Sequence, residues 1–74
     1  MKRDRWFWNK KSKRIYRVSL KTLYVYDEHL VMHSFPTQIL NRKRLILGLK
    51  VACDYKDGEV MRELTKQDLL LWKL

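Results

Sequence analysis

Cysteine is nearly absent from this chain, and so are the residues that punctuate loops. Cys53 is the only cysteine, which excludes an intramolecular disulfide and fits a reducing compartment. One proline, Pro36, and two glycines leave little room for long loops. No apolar run reaches the roughly 18 residues that a membrane span needs. No apolar segment follows the basic N-terminus as a signal peptide would require. Acids are scarce, eight against 17 lysines and arginines. The expectation is a cytoplasmic chain with no membrane partner.

Catalytic patterns are missing as well. The sequence has no glycine-rich phosphate loop, no nucleophile elbow and no acid pair with a rationale. His29 and His33 are four apart, near Asp27 and Glu28, but no third ligand stands at a recognisable zinc spacing. Cys53, flanked by Val51, Ala52 and Asp54, reads as a buried strand thiol and not as a nucleophile. The expectation is a protein with no catalytic residue, no metal and no cofactor.

What is present is apolar enough to fold, at 46% apolar and 34% charged residues. The 74 residues make one domain, 1–74. A core of this size leaves a net stability of only about 3–5 kcal/mol. A homo-oligomer or a larger protein complex is therefore expected to help hold it.

The charge is concentrated. The chain carries +9, and residues 1–17 hold eight cations against Asp4 alone, a net +7. Arg3, Arg5, Lys10, Lys11, Lys13, Arg14 and Arg17 surround Trp6, Trp8 and the other aromatics of this segment. Lysine and arginine neutralise phosphates, and aromatic faces stack on bases. This pattern makes DNA or RNA the expected partner, with Trp6 or Trp8 as candidate stacking rings. Arg42, Lys43 and Arg44 form a second basic spot that extends the same positive surface.

In chain order, Arg5–Asn9 and Arg14–Leu20 are two β-prone runs around a polar connector, a hairpin with Trp6 and Trp8 on one face and Phe7 on the other. Val18–Tyr26 reads as strand or helix, and its β-branched and aromatic content favours a strand. His29–Phe35 is a further apolar run, broken by Pro36. Thr37 is placed to cap a short helix from Gln38 to about Lys43. Leu45–Cys53 alternates in the manner of a strand, and Asp57-Gly58 predicts a hairpin turn into Val60–Leu64. Thr65 and Asp68 open a C-terminal helix with a capping-box pattern. Leu70 and Trp72 on that helix are the candidate anchors for a protein partner, the alternative function being a regulator that docks on a larger complex.

These readings define an α+β fold: a small β-rich domain, barrel-like or an open sheet, with about five short strands and a C-terminal helix. One resemblance offers another arrangement. The hairpin expected over Leu49–Leu64, followed by Thr65, Lys66, Asp68 and Leu69, resembles the wing and last helix of excisionase-type winged-helix proteins. That resemblance implies helices over Ser19–His33 and Thr37–Leu47. Asn41, Arg42 and Arg44 would then face DNA from the recognition helix.

Overall fold

The computed structural model describes residues 4–73. Five strands, β1 (Arg5–Asn9), β2 (Arg14–Val18), β3 (Thr22–Tyr26), β4 (Met32–Pro36) and β5 (Met61–Glu63), make one open sheet in the order β4-β3-β2-β1-β5. All neighbours are antiparallel. The first four strands form a meander. The chain then crosses the sheet as helix α1 (Ile39–Asp54) and adds β5 at the far edge. A short helix, α2 (Lys66–Leu71), follows β5 and is the last described element.

The register decides which side chains meet. Phe7 lies opposite Tyr16, Val18 opposite Leu23, and Asn9 opposite Met61. Side chains alternate along each strand, so Phe7, Val18, Leu23 and Met61 share one face. Phe7 and Val18 are fully buried there, and Met61 is nearly so. Helix α1 covers this face with Leu45, Ile46, Leu49, Ala52 and Cys53. Those positions are spaced i, i+1, i+4, i+7 and i+8, one stripe of an α-helix. Trp6, Trp8, Ile15, Arg17, Tyr24 and Tyr26 fall on the opposite face.

The expected fold class holds as an open five-stranded sheet with a C-terminal helix. The N-terminal hairpin, the strand over Thr22–Tyr26 and the capping box of α2 also hold, with Thr65 accepting the Asp68 N–H and the Asp68 carboxylate accepting the Thr65 N–H. The stretch after Pro36 is different. The alternation Leu45, Leu47, Leu49, Val51 predicted a strand, but the segment is the middle of a 16-residue helix. Leu47 and Val51 are exposed on its outer side, so the alternation combined core positions with solvent positions. Thr37 is not its cap: the residue before α1 is Gln38, with no side-chain cap bond. The Thr37 hydroxyl is buried and unpaired among the described residues.

Cys53 accordingly lies on a helix that packs on the core, not on a strand. Asp57-Gly58 turns the chain, but as part of a 3₁₀ turn that follows α1 and not between two strands. Lys56, Asp57 and Gly58 take φ values of 50, 54 and 77° in succession, which reverses the chain into β5. The winged-helix arrangement is excluded on two counts. Residues 19–33 contain β3, and no hairpin spans residues 49–64.

Because Phe7 is the largest fully buried side chain, the fold depends on it more than on any other residue. Phe7→Ala should cost about 3–5 kcal/mol. That matches the whole net stability expected for a domain this small. Urea titration followed by circular dichroism should find the variant largely unfolded without denaturant.

Candidate nucleic-acid interface

The face that α1 leaves uncovered carries an aromatic array built by three adjacent strands. Trp6 on β1 lies opposite Arg17 on β2, and Arg17 lies opposite Tyr24 on β3. The Arg17 guanidinium sits 5.3 Å from the Trp6 ring centre and 4.9 Å from that of Tyr24. Trp6 and Tyr26 lean over the intervening strand, with ring centres 6.1 Å apart and planes within 19°. Arg17 Nε donates to Asp4 at 2.7 Å, and this bond raises the guanidinium's already high pKa. Arginine between two rings gains from cation–π attraction while remaining charged. All four side chains of the array are half-buried, so each keeps part of its surface in contact with solvent.

Trp8 is held differently. Trp72, just past α2, meets it edge to face at 5.0 Å and 88°. The pair lines a groove of about 180 Å³ with Ile15, Lys13 and Leu30, closed on one side by Asp27 and Glu28. Among the three tryptophans, Trp6 is therefore the one in the array beside Arg17.

The basic turn lies at one end of the sheet. The Asn9 side-chain oxygen accepts the N–H groups of Lys11 and Ser12, both at 3.0 Å, and Lys13 completes the turn at φ 55°. This local closure lifts Lys10, Lys11 and Lys13 into solvent, where they form no ion pair among the described residues. Asp27 and Glu28, on the β3–β4 connection at the same end, bound the positive patch. The Val31 and His29 N–H groups hold the Asp27 carboxyl below its usual range, so it stays ionised.

The other expected site residues are dispersed. Arg5 makes two 2.7 Å bonds to Glu63 on the α1 side of the sheet. Arg14, also on that side, is exposed and lines a shallow cleft of about 400 Å³ with Tyr16, Val25, Asp27, His33 and Phe35. Arg42 is buried, and its Nε donates to the Ser19 carbonyl at 3.0 Å, tying α1 to the β2–β3 connection. Lys43 and Arg44 are exposed on α1, behind the sheet and at the end opposite the Lys10–Lys13 turn. The two basic clusters do not form one continuous surface. Arg3 lies outside the described residues. Leu70 is exposed on α2, whereas Trp72 is engaged with Trp8.

Sequence reasoning did not place Tyr24 and Tyr26 in the site. Their i, i+2 spacing put them on one face, but only the β1–β2–β3 register brings that face to Trp6 and Arg17. Arg62, on the same face, pairs with the Asp68 carboxylate at 3.3 Å. Among the described residues no group of three or more His, Cys, Asp or Glu is placed to hold a metal ion. The Cys53 thiol is pushed up by burial, away from the reactive thiolate. No described helix is long and apolar enough to cross a membrane.

Comparison with protein-family models, with curated proteins and with solved structures finds no match for this chain. The functional reading therefore rests on its own chemistry.

The contact between Trp8 and Trp72 joins the C-terminus to the sheet. A double-mutant cycle with Trp8→Ala and Trp72→Ala should return a coupling of about 0.5–1.5 kcal/mol. Additive losses would mean that the two rings do not support each other.

Proposed function

We propose that the chain is a non-enzymatic binder of single-stranded nucleic acid. The observation that carries this reading is the uncovered sheet face on which Trp6, Arg17, Tyr24 and Tyr26 form one half-open array, at the end of which stand the exposed Lys10, Lys11 and Lys13. An open sheet face bearing aromatic rings suits unstacked bases, which need a flat apolar surface. The lysines supply the phosphate contacts, with Arg14 at the same turn assisting from the other side of β2. A duplex presents no open base face to such an array, so single strands are the favoured ligand. Nothing in the array resembles a hydrogen-bonding code for base edges, and the reading is of sequence-tolerant binding.

A second reading has its own observation. Leu70 and Leu71 are 78 and 79% exposed, side by side on α2, an apolar step that suits docking on a larger protein. In this reading Trp72 stays with Trp8 and the leucines form the contact.

Fluorescence anisotropy with labelled single-stranded and duplex oligonucleotides, titrated in salt, separates the two. The first reading expects a preference for single strands and a log–log salt slope of about −2 to −3 from three or four phosphate contacts. Trp6→Ala should weaken binding roughly 5- to 150-fold, the range for one lost stacking ring. Reversing Lys10, Lys11, Lys13 and Arg14 to glutamate should abolish it, while Leu70→Ser with Leu71→Ser leaves it unchanged. Equal affinity for duplex with no effect of Trp6→Ala would remove the stacking role. Binding lost well below physiological salt would overturn the first reading in favour of the second.

A further inference from the structure

We propose that β4 is a self-association edge, through which two copies of the chain pair antiparallel into one continuous sheet of twice five strands. The inference stands whether or not the chain binds nucleic acid.

The first observation is the state of the edge. The Thr37 N–H donates to the Lys21 carbonyl at 2.7 Å and the Asp27 N–H to the Val31 carbonyl at 3.1 Å. In an antiparallel ladder, bonded residues alternate with residues whose N–H and C=O point the other way. Odd-numbered residues of β4 therefore bond to β3, and the backbone groups of Met32, Ser34 and Pro36 point outward. Pro36, which has no N–H, stands at an outward position where β3 loses nothing by it. Met32 and Ser34 still present N–H donors with no strand among the described residues to receive them.

The second observation is what the strand lacks. Natural edges are commonly protected by lysines, bulges or a covering element. Every residue of β4 is exposed, none is a lysine, arginine, aspartate or glutamate, and Met32 and Phe35 are each 51% open to solvent. The preceding Leu30 and Val31 are exposed as well. The opposite edge, β5, has only three residues and packs against α1.

The third observation selects the occupant. Residues 22–41 contain no lysine or arginine, in a chain whose net charge is +9. Two copies approaching through the Lys10–Lys13 turn or through the Lys43–Arg44 side of α1 would bring like charges together. Approach through β4 brings together fewer cations: beside the strand stand Arg14, which shares the cleft of His33 and Phe35 with the carboxylate of Asp27, and Lys21, whose carbonyl accepts from Thr37. An acidic partner would be drawn to the basic turn instead, so a second copy of this chain is the partner that fits the edge.

The ends of the strand set the register. Leu30 at φ 61° leaves the extended conformation on one side, and Pro36 closes the other. Full overlap then centres on Ser34, with Ser34 bonding reciprocally to Ser34 of the second copy. The Met32 N–H of each copy meets the Pro36 carbonyl of the other. On the helix side, His33 of one copy faces Phe35 of the other as a non-hydrogen-bonded pair, and the cleft beside Tyr16 and Val25 gains an apolar wall. The twofold axis stands perpendicular to the sheet. Both α1 helices lie on one side and both aromatic arrays on the other.

Sedimentation velocity tests this with the wild type, Ser34→Pro, Phe35→Lys and a control, Leu47→Lys, on the exposed outer side of α1. The wild type and the control should sediment at twice the 9.2 kDa of one chain. The two edge variants should sediment at the single-chain mass. Ser34→Pro removes an N–H that β3 does not use, so its circular dichroism should retain the sheet. Hydrogen exchange on the wild type is independent of any variant's folding: the Ser34 and Met32 amides should gain protection as concentration rises. A wild type that is monomeric at every concentration, dimers in both edge variants, a dimer broken by Leu47→Lys, or no protection at Ser34 would each overturn the proposal.

Discussion

The packing of α1 across β5, β1 and β2 is the contact on which the rest of this structure depends. Phe7, Val18 and Met61 are buried only because the helix lays Leu45, Ile46, Leu49, Ala52 and Cys53 over them. Remove that layer and the sheet has one half-open aromatic face and one naked apolar face, which water would not tolerate. The helix also decides what is left exposed. By occupying one face it assigns the other to Trp6, Trp8, Arg17, Tyr24 and Tyr26, and by crossing over β1 and β2 it leaves β4 uncovered. The array and the open edge both follow from where a single helix sits.

Polar contacts refine this arrangement more than they stabilise it. The Arg5–Glu63 and Arg17–Asp4 pairs are partly exposed, and pairs of that kind contribute about 0–1 kcal/mol each. Their effect is orientation: Arg17, fixed by Asp4, spaces the rings of Trp6 and Tyr24. Arg42 sends its guanidinium to the Ser19 carbonyl and anchors α1 to the end of the sheet. Three cations counted by composition among the phosphate binders, Arg5, Arg17 and Arg42, thus have structural partners. Lys10, Lys11, Lys13, Arg14, Lys43 and Arg44 remain exposed.

Much of the fold was legible where side-chain period and local chemistry agree. Trp6-Phe7-Trp8 alternates cleanly, Asn9 closes its turn through its own side chain, and Thr65 with Asp68 caps α2. The sequence misled where two periods coincide. Leu45 to Cys53 has apolar residues at both strand and helix spacing, because Leu47 and Val51 are apolar yet solvent-facing. Asp57-Gly58 is a hairpin signal only when strands flank it, and here a helix precedes it. The site was half legible: the basic turn could be read directly, but the meeting of Trp6, Arg17, Tyr24 and Tyr26 depends on a register between strands distant in sequence.

In the proposed function, ligand meets this chain on the sheet face opposite α1. The most direct measurement is a two-dimensional amide and indole NMR titration with a short unstructured oligonucleotide. The Trp6 indole, the Tyr24 and Tyr26 amides and the amides of residues 10–13 should shift together along one saturating curve. Shifts confined to Lys43, Arg44 and Lys50 on α1, with the Trp6 indole unmoved, would contradict it.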